Sequence, residues 1–322
     1  MVFRSRSHSD QGQRIEAAGK TRLASMARSN SIHRTSPRGI SSYIPPAPLQ
    51  ELHILDYLEL AGSQAKAGAA LAVHQSTVCR TLHLMQEQFR LETRQDASVC
   101  RHGHNPCLHY LRLAYREHRF MEGMLRIGTD VLHQNLLIRM AGVQWVPACF
   151  RSGDHWAELV RQGLLDGAIV SSFSLQQRVL PHCEHQWHGL KALPLGQLAL
   201  KLVANSDETR TVLLPRKGTS PLLHRTLTAH GYGAAHQPNA CQEPSAWIKR
   251  AKDRNLALPI NPSLVGIQWM EMNGLKVLAG HPPLIEQLWL LLPQGGESTR
   301  AAQQCLRRLH LRVGRLKNSE WS

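Results

Sequence analysis

Between Gln75 and Phe89 the chain reads QSTVCRTLHLMQEQF, and its apolar residues Val78, Leu82, Met85 and Phe89 recur at steps of four, three and four. At about 100° per residue these steps gather into one narrow stripe. Ser76, Cys79, Arg80, His83 and Glu87 fall on the opposite face, so the spacing predicts an amphipathic helix with a polar outer surface. Upstream, LQELHILDYLELAG (49–62) sets Leu52, Leu55, Tyr57 and Leu58 near helical spacing and closes at Gly62. SQAKAGAAL (63–71) follows, with Ser63 as N-cap and small side chains that allow close helix packing. Only Ala72 to His74 separate it from the amphipathic segment. Three short helices with such a turn before the last form the plan of a helix-turn-helix domain. The prolines of YIPPAP (43–48) stop any earlier helix from running into it.

At 322 residues the chain is long enough for two or three domains with separate cores. With aromatics at 5%, aliphatic side chains must fill them. The formal charge of +15 suggests an anionic partner such as nucleic acid. Its distribution qualifies that: residues 1–46 carry +6, residues 47–124 carry zero and the remainder +9. The helix-turn-helix stretch is therefore not the basic part. Residues 1–46, Arg/Ser-rich and poor in acids, read as a disordered basic arm. Seven cysteines at irregular spacing and no apolar leader point to reduced thiols in a cytoplasmic protein. No run approaches ~18 apolar residues, so no membrane span is expected.

GSQAKAGAALAVHQSTVCRTLHLMQ resembles the DNA-binding segment of the LysR-type transcriptional regulators. Gly62, Ser63, Ala70, Leu71, Val73, Gln75, Ser76, Val78 and Arg80 match the family pattern; His74, Cys79 and the pair Met85-Gln86 depart from it. Further pieces resemble the family's effector domain in the family's order: MLRIGTD (124–130), GVQWVPACFRSGDHWAELVRQGLLDGAIVSS (142–172), LPLGQLALKLVANSD (193–207), WIKRAKDRNLALPINPSLV (247–265) and QLWLLLPQG (287–295). The resemblance implies an α/β protein with an N-terminal all-α winged helix-turn-helix and two effector lobes of the periplasmic-binding-protein type. The domains expected are the arm, 1–46; the winged helix-turn-helix, 47–103; a linker helix, 104–124; the effector domain, 125–312, with its second lobe at about 193–265; and a tail, 313–322. A linker of 21 residues is shorter than the family's usual dimerisation helix.

The resemblance implies a regulator that binds double-stranded DNA as a homodimer or homotetramer, its affinity or geometry modulated by a small molecule held between the lobes. The alternative is a diverged small-molecule sensor that has lost specific DNA binding. Gln75, Ser76 and Arg80 sit where the family contacts DNA: Gln pairs bidentately with adenine, Arg with guanine, and Ser reaches a phosphate or base edge. Cys79 and His83 share that face, and Lys66, Arg94 and Arg101 are phosphate partners. In α/β sheets ligands lie beyond the carboxyl ends of strands, at helix N-termini. That points to Thr129, Asp130, Ser171, Ser172, Ser245, Pro259 and Asn261. Asp130 would repel an anion, so the ligand is neutral or cationic, or Asp130 caps a helix, or the pocket is vestigial.

CRHGHNPCLH (100–109) and HCEHQWH (182–188) concentrate His and Cys, but neither has the paired spacings of a zinc site. Phosphate contacts from a wing explain the first and plain surface the second, so no metal or cofactor is expected. Nucleophile-elbow, phosphate-loop and zinc-protease motifs are missing from the sequence, which argues against an enzyme. Asp166, in GLLDGAIV, looks like a fold-determining acid of the family and not a general base.

Overall fold

The computed structural model describes residues 43–150, 155–174, 185–187, 189–214, 220–236 and 244–319. Residues 1–42 of the arm expected at 1–46, most of HCEHQWH, and the side chain of Ser245 lie outside the described residues. Tyr43, near the end of that expected arm, is described, and its hydroxyl sits 2.9 Å from His118 Nδ1.

Three helices build the head: α1 (Gln50–Ala61), α2 (Gln64–Leu71) and α3 (Gln75–Phe89). Gly62 ends α1 with φ +69°, a conformation open to glycine without strain. Ser63 Oγ caps α2 by accepting from Lys66 N at 3.3 Å. A Cβ on Gly68 would stand 2.9 Å from Val73 O, so the turn into α3 closes only over a residue without a side chain. Leu52, Leu55, Leu58, Val78, Leu82 and Met85 meet in the head's core. The wing, residues 91–105, forms no strand; it is a loop closed by Arg94 N donating to Arg101 O at 2.7 Å.

The linker helix α4 (Pro106–Met121), capped by Asn105, leads into β1 (Leu125–Gly128). Then come β2 (Val143–Val146), α5 (Trp156–Arg161), β3 (Gly167–Ser171), β4 (His185–Trp187) and the 15-residue β5 (Leu190–Ala204). The second lobe adds β6 (Thr211–Leu214), α6 (Pro221–Ala229), β7 (Gly233–His236), α7 (Pro244–Asp253), β8 (Leu258–Ile260), α8 (Pro262–Val265), α9 (Ile267–Met272) and β9 (Lys276–Val277). β10 (Leu284–Pro293) returns to the first lobe, followed by α10 (Arg300–Ser319), so the segment expected as a tail from 313 continues this helix.

The main sheet runs β2-β1-β3-β10-β5-β4, while the far end of β5 pairs β8 and β9, and β6 pairs β7 in parallel. The architecture is thus a helical head on two α/β lobes crossed by two long strands, β5 and β10. Apolar clusters line both faces of the first-lobe sheet, and two more fill the second lobe. All described residues belong to one compact unit, 39–322.

Candidate functional site

The first surface to consider is the outer face of α3. Because Val78, Leu82 and Met85 turn inward, Gln75, Ser76, Arg80 and His83 are exposed and Cys79 is half-buried beside them. His74 caps the helix, its Nδ1 accepting from Ser76 N at 3.2 Å. Gln75 leans toward Gln64 across the turn, 3.5 Å between their amide groups. Lys66, Arg94 and Arg101 are exposed. Across residues 47–124 the buried acids Asp56 and Glu59 are outnumbered by the buried Arg112, Arg116 and Arg119, so the surface there is no more basic than the net charge. Asp56 is fully buried, and Glu59 accepts from Arg101 N at 3.0 Å and His102 N at 2.7 Å.

Behind this face lies a joint between head and first lobe that the sequence did not announce. Arg112 on α4 donates from Nε to Asp56 Oδ1 at 2.8 Å, and Arg126 on β1 reaches Asp56 Oδ2 at 3.3 Å. Two helical turns on, Arg119 donates to Asp166 at 2.7 and 2.5 Å, and Arg126 N donates to the same carboxylate at 2.6 Å. Asp166 is therefore an ion-pair hub holding α4 to β1. Burial by itself lowers the proton affinity of Arg112 and Arg119, but Asp56 and Asp166 outweigh it and raise both. Arg116 donates to Val160 O in the last turn of α5, where carbonyls concentrate negative charge, and to Leu165 O in the loop beyond it. His53 Nδ1 lies 2.6 Å from Tyr115 Oη and 3.1 Å from Arg126 Nη2, both donors. Burial first, then Arg126 and Arg119, hold that ring neutral, its pKa well below the usual value. Spacing alone assigns Arg112, Arg116 and Arg119 to a solvent face; their i, i+4, i+7 interval was the available signal.

A cavity of about 360 Å³ opens where the wing meets α5, lined by Arg94, Asp96, Ser98, Cys100, Glu158 and Gln162 among others. Cys100 is buried with Arg112 Nη1 3.4 Å from its sulfur, Cys107 is exposed, and the rings of His104 and His109 lie 6.0 Å apart. Among the described residues no three His, Cys, Asp or Glu side chains converge to hold a metal ion.

The second surface is the set of strand ends at the lobe crossing. Thr129, Asp130, Ser171 and Ser172 come together there, each already engaged. Thr129 Oγ1 donates to Ile169 O at 3.1 Å. Asp130 Oδ1 accepts from Leu132 N at 2.9 Å and His133 N at 3.2 Å, so this acid caps the turn after β1. Ser171 Oγ donates to Glu286 Oε2 at 2.5 Å, and Ser172 Oγ accepts from Gln287 N at 3.0 Å. From the second lobe, buried Asn261 caps α8 through Leu264 N and donates to Ala199 O at 2.8 Å; buried Pro259 is paired with Leu202 in the β5–β8 ladder. The lobes touch where Asn135 Nδ2 donates to Leu264 O at 3.2 Å. His133 and Glu286 were missed: one follows a turn and the other sits inside an apolar strand.

No family model and no curated protein matches the sequence. Among solved structures, CbnR, described as a LysR family transcriptional regulator, is 14% identical over 83% of this chain and 98% of its own, with a TM-score of 0.45. ArgP from Mycobacterium tuberculosis is 13% identical over 84% of this chain and 97% of its own, with a TM-score of 0.44. Full-length LysG from Corynebacterium glutamicum, with arginine bound as effector, is 12% identical over 82% and 98%, with a TM-score of 0.41. No helix among the described residues is long and apolar enough to cross a membrane.

Proposed function

We propose that this chain is a cytoplasmic, non-enzymatic DNA-binding regulator of the LysR type. The observation that carries the reading is α3, which turns Gln75, Ser76, Arg80 and His83 outward at the start of a helix-turn-helix while its apolar stripe is buried. A helix so presented suits the major groove, with Gln and Arg as base readers and Lys66, Arg94 and Arg101 on phosphates. Two α/β lobes crossed by two strands supply a cleft for a small molecule that modulates DNA affinity or geometry.

A second copy of the chain is the partner best suited to α4. Cys107, Tyr110, Ala114, Glu117 and Met121 are all exposed and recur at steps of three and four, the interval of a coiled-coil seam. Tyr110 is 69% and Met121 79% exposed, so among the described residues nothing covers these two positions. The pair Tyr110→Glu and Met121→Glu is expected to halve the mass seen by light scattering.

The experiment for the main reading is fluorescence anisotropy of the full chain on DNA from upstream of its own gene, against a scrambled duplex of equal length. Selective binding with a steep salt dependence is expected. Equal, weak binding to both would leave the sensor that has lost specific DNA recognition.

A further inference from the structure

Three segments far apart in sequence converge on one carboxylate. Glu286, near the start of β10, is fully buried. Its Oε2 accepts from Ser171 Oγ at 2.5 Å and its Oε1 lies 2.7 Å from His133 Nε2. His133 is 1% exposed, and its Nδ1 lies 2.7 Å from Asp130 Oδ1. An ionised carboxylate offers only acceptors. A ring flanked by two ionised carboxylates donates from both nitrogens, as only an imidazolium can. Burial pulls the ring's proton affinity down, and Asp130 and Glu286 more than reverse this, raising its pKa well above the usual value. A hydroxyl donor and a buried cation, each aimed at a different oxygen, are what recognition of a small carboxylate requires.

We propose that the ends of β1 and β3 form a carboxylate-binding site whose resident ligand is the protein's own Glu286 side chain. Its regulatory meaning rests on the two-lobed sensor reading above, although its chemistry does not. A free carboxylate can enter only by displacing Glu286, and Asp130, held on the far side of the ring, adds a charge that opposes entry. The native cleft therefore does not respond to small carboxylates, and removal of the tethered one creates the response.

The test is chemical rescue in the full-length chain. Glu286→Ala is expected to lower Tm, and sodium formate or acetate to restore about 2–4 °C of it, with sodium chloride at equal ionic strength ineffective. The native chain is expected to respond to none of the three, and His133→Gln in the Glu286→Ala background to abolish rescue. A variant that responds to formate and acetate no better than to chloride overturns the proposal, as does a native chain that responds equally well. Should Glu286→Ala not fold, Glu286→Gln with nitrogen NMR of labelled histidine decides. At about pH 8, where an ordinary imidazole is neutral, native His133 is expected to carry both protons and the variant ring to have lost one. A neutral native ring overturns the proposal. None of these readouts involves DNA, so failure of the anisotropy experiment leaves this site standing, and failure here leaves the regulator reading standing.

Discussion

Asp56 and Arg112 meet at 2.8 Å with both side chains fully excluded from water, joining the first helix of the head to the linker helix. Arg126 of the first lobe grips the other oxygen of the same carboxylate, so one acid ties head, linker and lobe together. Around it Leu60 of the head packs in one cluster with Trp156 and Trp289 of the lobe. The head is therefore built into the first lobe and does not hang from a flexible tether.

Removing that acid leaves two guanidinium groups buried with reduced compensation. Asp56→Ala is expected to cost about 3–5 kcal/mol of stability, the usual penalty for breaking a buried pair. Urea denaturation measures it, with exposed Glu92→Ala as a control expected to stay within about 0.5 kcal/mol. A loss as small as the control's would show that the joint is not formed.

Arg80→Ala is expected to weaken binding to the specific duplex by about 1–3 kcal/mol if the side chain reads a base. The scrambled duplex should be less affected. An equal loss on both in the anisotropy assay would reassign Arg80 to the phosphate backbone.

Two histidines, half-buried His53 and buried His133, give stability opposite pH limbs. His53 has a folded-state pKa held well below its unfolded value by burial and by Arg126 and Arg119. Its contribution is full above about pH 6.5 and falls below it by up to about 1.4 kcal/mol per pH unit. His133 is the reverse: its folded-state pKa is raised well above the unfolded one by Asp130 and Glu286 against the cost of burial. That contribution is full below the unfolded value and is lost as pH rises through the folded one. Denaturation at a series of pH values should show His53→Gln flattening the acid limb and His133→Gln the alkaline limb. Exchange of those two phenotypes would refute the assignment.

Thiol chemistry should separate surface from core. Burial pushes the Cys100 thiol up to about 11, although Arg112 pulls the other way, and the Cys305 thiol up to about 12. Cys107 is exposed on α4. Near neutral pH, peptide mapping after alkylation is expected to find Cys100 and Cys305 modified only on unfolding, and Cys107, on the α4 seam, modified faster in the Tyr110→Glu, Met121→Glu variant than in the native chain. Early modification of Cys305 would contradict the packing of α10.

The limits of α3, the turn before it and the Ser63 cap are legible in the sequence because each follows from local spacing and capping chemistry. The order of strands and helices from 124 to 172 is legible only through the resemblance of those pieces to the family's effector domain. The Arg112–Asp56 pair and the Glu286–His133 contact are not, since they join residues 56 and 153 positions apart. Periodicity places arginine outside; only tertiary packing reveals a carboxylate waiting within. The wing lacks strands for a related reason: its loop is held by Glu59 on the head and by isolated backbone bonds such as Arg94 N to Arg101 O, which no local pattern encodes.

β5 and β10 run side by side from Leu284 opposite Leu200 to Pro293 opposite Leu190, with a single shift of register between Leu288 and Trp289. Sliding one lobe past the other would break this whole ladder at once, whereas rotation only changes the coil of a two-stranded ribbon. The two strands act as a torsion bar, and because the head packs on its first-lobe end through Leu60 and Trp289, any twist between the lobes turns the head, α3 included, relative to the second lobe.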